Sequence, residues 1–253
     1  MLTLTNFRDL GGIPNKHGKQ LIDKRLLRSA ELSHLSPEQA RQLAGRYQLG
    51  KIIDFRSAAE TLERPDVSIA QARYVHIDLL AEAQQQAQAS IAAFSQLDSV
   101  SKTTEYMQML YQELALSPAA QAGYRQFFQE VLANDADKSV LFHCAAGKDR
   151  TGIAAMLMLE VLEVSRTLIY HDYLKTNHMR SQENARLVAQ AAAAGADKAQ
   201  QAAFAIALQV DSRYLDRFYA TVEQHYAGVE NYLHTVLHID PASRQQLQQR
   251  LLR

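Results

Sequence analysis

The stretch VLFHCAAGKDRTG, residues 140–152, constrains this chain more than any other. The run SVLFH before it reads as a strand, and RTGIAAMLMLEVLE after Arg150 is apolar nearly all round, the pattern of a buried helix. Strand, glycine-punctuated turn and buried helix in that order require a sheet with helices packed on it. The turn aims successive backbone N–H groups and the positive end of a helix dipole at one point, an arrangement that holds phosphate.

The rest of the chain repeats that rhythm. RLLRS near Leu26, KIIDF at Lys51 to Phe55 and RYVHI at Arg73 to Ile77 are short β-like runs between helical segments. Ser36, Pro37 and Gln39 predict a capped helix to Tyr47, and Ser117 with Pro118 a second one to about Leu132. The predicted fold is α/β, a central, mainly parallel sheet flanked by helices, with a helix-rich C-terminal part. A length of 253 residues suits one domain, 1–253. Two Ala/Gln-rich segments, 81–99 and 188–207, favour helix but carry few large anchors, and are expected as surface helices or a lid over the site.

With 27 basic and 27 acidic residues, nothing global draws the chain to nucleic acid or an anionic membrane, so anion recognition must be local. No run of about 18 apolar residues could span a bilayer, and MLTLTNFRDL does not read as a signal peptide. A cytoplasmic chain without a stable membrane anchor is expected, leaderless secretion staying compatible. Cys144 is the only cysteine and cannot form an internal disulfide.

A thiol at the focus of the turn is stabilised as thiolate and becomes a nucleophile. Gly147 permits backbone that a Cβ would hinder, and Ala145 and Ala146 keep the cradle open. Arg150, six residues after Cys144, can present its planar fork to two phosphoryl oxygens. The phosphate-binding loop is therefore Ala145, Ala146, Gly147, Lys148, Asp149 and Arg150. No metal or other cofactor is expected, since the nine histidines lack HxxEH or HExxH spacing.

HCxxGxxR followed by Thr151 and Gly152 is the signature of cysteine-dependent phosphatases, and HCAAGKDRTG resembles the bacterial protein-tyrosine phosphatase B-like branch. NFRDLGG, LLRSAELSHL, IIDFRSAAE, DYLKTN and YAGVENYL look like that family's recurring segments in the same order. The resemblance implies phosphomonoester hydrolysis through a cysteinyl-phosphate on Cys144. Arg150 and the loop amides would take up the phosphoryl charge, with Thr151 assisting the departing thiolate and His143 orienting the loop. The chain has no tryptophan for a Trp-Pro-Asp acid loop. Asp149 is the first candidate for general acid, with Asp78 and Glu82 as alternatives, while Pro65 and Asp66 are expected in a turn. Lys148 opens the choice of substrate to phosphoinositides beside phosphorylated proteins.

Arg8, Asp9, Asp54 and Arg56 are expected chiefly as ion pairs fastening loops, and Asp172, Asn177 and His76 as structural groups. Tyr170, Tyr173, Tyr214 and Tyr219 lie at helical spacings and are expected in the core. An exposed reactive thiol without a second cysteine is expected to lose activity readily to peroxide. Two other readings compete: a phosphate-recognition module that has lost catalysis, and a rhodanese-like sulfurtransferase.

Overall fold

A computed structural model describes residues 4–80 and 99–253. Five strands in that part form one sheet, in the order β1-β2-β5-β3-β4: β1 (Arg8–Asp9), β2 (Leu26–Ser29), β3 (Leu49–Asp54), β4 (Arg73–His76) and β5 (Ser139–His143). Only β1 runs antiparallel to its neighbour. The short edge strand β1 within NFRDLGG carried no β signal of its own, because two residues cannot display an alternation.

Alternation along β5 divides the core. Leu141 joins Leu27, Ile52 and Leu43 on the face covered by α1 (Pro37–Gly45). Val140 and Phe142 point the other way, into a larger cluster. That face is covered by α3 (Val100–Leu116), α4 (Pro118–Leu132), α5 (Arg150–Val161), α6 (Arg166–Met179) and α9 (Ser212–Tyr226). Every residue of α5 from Thr151 to Val161 is buried, as its apolar sequence requires. The C-terminal part is helical throughout, ending with α10 (Val229–Asn231), a π-helical turn at Tyr232–Val236 and α11 (Pro241–Leu251).

Ser36 and Gln39 form the expected capping box, but α1 stops at Gly45, because Gln48 takes a left-handed φ of 49° that turns the chain into β3. Ser117 ends α3 and caps α4. The second Ala/Gln-rich segment is two helices, α7 (Ser181–Ala193) and α8 (Lys198–Ala207), broken at Gly195, whose φ is +95°. No residue of α7 is fully buried, and α8 buries only Ala203 and Ala207. The first segment, 81–99, lies outside the described residues except for Ser99, the N-cap of α3.

Tyr173, Tyr214 and Tyr219 are buried as expected, while Tyr170 is only partly so, its hydroxyl reaching Asp216 near the surface. Among the described residues, no helix is long and apolar enough to cross a membrane.

Candidate active site

β5 sits at the centre of the sheet, with His143 in register with Ser29 of β2 and Asp54 of β3. The residues after His143 therefore emerge at the carboxyl edge of three parallel strands, where open α/β sheets bind ligands. Gly147 has φ +65°, and a Cβ there would lie 2.1 Å from the Ser29 carbonyl oxygen. Only glycine fits this approach of loop to β2.

The loop carbonyls are tethered from outside. The Glu31 amide donates to the Ala145 oxygen at 3.1 Å, and Arg180 Nη1 to the Ala146 oxygen at 3.0 Å. Asn6 Nδ2 donates to the Gly147 oxygen at 2.7 Å and the Ala146 oxygen at 3.2 Å, and Arg28 Nη2 to the Gly147 oxygen at 3.0 Å. Among the described residues, none takes up the loop's N–H groups from Ala145 to Asp149. A peptide group fixed by its carbonyl presents its N–H to the opposite side, so these tethers turn the amides inward.

Arg8 and Arg28 hold the tethers in turn. Both bond Asp172, Arg8 Nε at 2.6 Å and Arg28 Nη1 at 2.6 Å, and Arg8 also fixes the Asn6 side chain at 2.5 Å. Burial and the nearby Arg8 charge bring Arg28 down to about 10, against the pull of Asp172. Arg8 and Asp172 thus stand in an ion-pair network under the loop, and Asn177 fastens the Val210 backbone. Asp9 accepts the amides of Gly11 and Lys24 in a turn.

Cys144 lies at the floor of the loop, 2% exposed, which corrects the expectation of an exposed thiol. The residue belongs to the apolar cluster on which the cradle rests. Arg150, the first residue of α5, turns its fork onto Glu60, with Nη1–Oε2 at 2.6 Å and Nη2–Oε1 at 2.9 Å. Burial alone would raise the Glu60 carboxyl and lower Arg150; the bidentate pair reverses both, holding Glu60 down to about 2 and pushing Arg150 up. Glu60 is fixed by α2 (Ala58–Glu63), where it completes a capping box with Ser57.

Asp149 caps no amide with its side chain. Its carboxylate accepts from the Tyr111 hydroxyl at 2.9 Å and meets Lys148 Nζ at 2.8 Å, and Tyr111 in turn meets the Tyr173 hydroxyl at 2.7 Å. Lys148 is buried in this pairing. The Thr151 hydroxyl is buried, with no hydrogen-bond partner among the described residues. The alternatives to Asp149 fare differently: both oxygens of Asp78 accept backbone amides, from Ala58 and Leu80, and Glu82 lies outside the described residues.

Behind the loop, His143 is fully buried. Its Nδ1 faces the Cys144 carbonyl at 3.3 Å, and its Nε2 lies 2.8 Å from Asp66 Oδ2, close in distance but off the line of a hydrogen bond. Burial opposes protonation, yet Asp66 and Asp54 outweigh it and raise the His143 pKa. Asp66 is more than the turn residue expected, since it also accepts from Arg56 and from the Leu32 amide. Among the described residues, Asp54, Asp66 and His143 are the one group of donors close enough to hold a metal. Arg56 bonds both carboxylates, at 2.7 and 2.8 Å, and supplies the positive charge they need. His76 meets the Arg56 carbonyl through Nε2 at 2.7 Å.

The geometry unites Cys144, the loop amides, Asp149, Arg150, Thr151 and His143. It adds residues that sequence reasoning did not single out: Asn6, Arg28, Glu60, Tyr111 and Arg180. Glu60 stood inside the IIDFRSAAE segment and at a capping-box position, but its bond to Arg150 spans 90 residues and leaves no local trace.

A family model described as the tyrosine phosphatase family matches residues 1–253. The chain is 28% identical over 241 residues to a putative tyrosine-protein phosphatase of Cupriavidus necator, covering 95% of this chain and 84% of that one. It is 29% identical over 201 residues to the triple specificity protein phosphatase of Mycobacterium tuberculosis, covering 72% and 70%. A tyrosine-protein phosphatase of Nostoc commune is 35% identical over 156 residues, 60% of this chain and 48% of the relative.

Proposed function

Because the chain belongs to the tyrosine phosphatase family, we propose that it hydrolyses phosphomonoesters of proteins through a cysteinyl-phosphate on Cys144. The observation that carries this reading is the tethering of the Ala145, Ala146 and Gly147 carbonyls by Glu31, Asn6, Arg28 and Arg180. It leaves a ring of N–H groups for the equatorial oxygens of a phosphoryl group, preorganised before substrate arrives.

The Cys144 thiolate attacks phosphorus in line. An S–P bond forms, the ester P–O bond breaks, and the leaving oxygen takes a proton from Asp149. Arg150, kept in place by Glu60, binds two of the equatorial oxygens. Water then adds to phosphorus while Asp149 accepts its proton, and the S–P bond breaks. Thr151, whose hydroxyl has no other partner among the described residues, donates to the departing sulfur. His143 positions the Cys144 carbonyl, and with it the start of the loop.

Phosphorylated proteins suit this site better than phosphoinositides, because Lys148 is buried and already paired with Asp149. The triple specificity in the Mycobacterium relative's name keeps phosphoserine, phosphothreonine and phosphoinositides in the substrate panel. A reducing cytoplasm, which keeps a lone thiol reduced, belongs to the same proposal.

Release of phosphate from p-nitrophenyl phosphate by wild type and by Cys144→Ser, in chelator and reductant, tests it. Turnover by the wild type and its loss with the sulfur are expected. Equal turnover by both would remove Cys144 from the mechanism.

A further inference from the structure

Beside the cysteine loop runs a half-open groove of about 440 Å³, walled on one side by Ala145 and Ala146. Its charged residues are mostly spoken for. Glu31 is bound by Arg56 and Arg64, and Glu183 by Arg186. Arg180, between α6 and α7, is different. It is 4% exposed, it donates through Nη1 to the Ala146 oxygen, and its Nε is buried without a partner among the described residues. Among the described residues, no carboxylate lies within ion-pair distance of it. A buried guanidinium with no carboxylate in contact is costly, and an anion delivered to it recovers that cost.

We propose that this groove is a subsite for an acidic side chain that flanks the phosphorylated residue of a peptide substrate, read by Arg180. The proposal rests on the phosphatase reading of the loop and adds a sequence preference to it. Arg180 touches the loop itself, so a group bound there lies beside a phosphoryl group held by the amides. An extended peptide advances about 3.3 Å per residue, which brings a glutamate one or two positions away within reach. Leu4, Leu187 and Leu208 give the groove apolar stretches for neighbouring side chains. A polyphosphorylated lipid headgroup would call for a cluster of unpaired cations, and Arg64, Arg186 and Lys148 are all paired.

The test compares kcat/KM for two phosphotyrosyl peptides that differ only in glutamate or glutamine beside the phosphotyrosine, with p-nitrophenyl phosphate as the measure of the loop alone. Wild type is expected to prefer the glutamate peptide about fivefold, chiefly through KM. In Arg180→Gln the preference should fall to about one. Loss of the Ala146 contact slows both peptides alike and leaves their ratio untouched, so a purely structural role for Arg180 would preserve the preference. Glu183→Gln, which releases Arg186 beside the groove, should raise the preference and decides the matter if Arg180→Gln does not fold.

Equal use of the peptides by a wild type that hydrolyses p-nitrophenyl phosphate would overturn the subsite alone. So would a preference unchanged in Arg180→Gln, one not raised in Glu183→Gln, or faster hydrolysis of a bisphosphorylated inositol headgroup than of either peptide. No turnover of p-nitrophenyl phosphate would overturn the phosphatase reading, and the subsite with it.

Discussion

Glu60 is the side chain on which the aim of Arg150 depends. A guanidinium on a flexible stem can point in many directions, and a bidentate carboxylate removes most of them. Replacing Glu60 with Gln keeps the shape and removes the charge, and kcat for p-nitrophenyl phosphate is expected to fall at least tenfold. The same pair sets a pH dependence. The Glu60 carboxyl is held at about 2 in the fold, against 4.5 as its ordinary value. Its stabilisation is complete above about pH 4.5 and is lost as the pH falls toward 2, since the unfolded chain then binds the proton more readily. After solvent screening this amounts to roughly 1–2 kcal/mol. Urea midpoints of wild type and Glu60→Gln should converge across that window; parallel curves would deny the pair a stabilising role. Cys144 and Arg150 could be read from thirteen consecutive letters because strand, turn and helix are local. Glu60, Asn6 and Tyr111 could not, because each meets the loop only after the chain has folded back over 38 residues or more.

Among elements, the short helix α2 exists to present one carboxylate. Ser57 and Glu60 cap it reciprocally, and the Glu60 oxygen that accepts the Ser57 amide at 2.7 Å also accepts from Arg150. The box at Ser36 and Gln39 of α1 has the same bonds but no tie to the loop. Ser57→Ala and Ser36→Ala are each expected to cost about 1 kcal/mol of stability. Only Ser57→Ala should also lower kcat, and an equal kinetic effect of both would deny α2 this role. The two boxes differ in legibility. Ser36 stands before a proline and an amphipathic run, whereas α2 has six residues, none of them buried, and offers no periodicity to read. The Ala/Gln bias predicts one helical segment over 188–207, whereas the turn at Gly195 divides it between α7 and α8. A single glycine was outweighed there by the alanines around it. Amides of α7 are expected to exchange with solvent well before those of β5 and α5, as a cover over the site requires. Hydrogen exchange of α7 at the rate of global unfolding would exclude such a cover.

For the whole molecule, the parallel order β2-β5-β3 follows from three apolar runs whose carboxyl ends meet at one edge. The alternation of strands and helices announced the α/β class, while strand order, which rests on the far-apart pairings of β5 with β2 and β3, was not written in any window of the sequence. That order bears on how the protein comes into being. β2 and β3 never touch each other through hydrogen bonds; β5 stands between them and is made last of the three. No part of the chain up to residue 138 can close the centre of the sheet, and a ribosome that has released β1 to β4 has released two strand pairs, β1-β2 and β3-β4, with nothing to join them. The strand that completes the architecture is also the one that ends at Cys144, so the cradle and the fold are acquired in the same event. A half-built molecule of this kind has no half-built site, and Cys144 enters the core only when the rest of the molecule is there to restrain it.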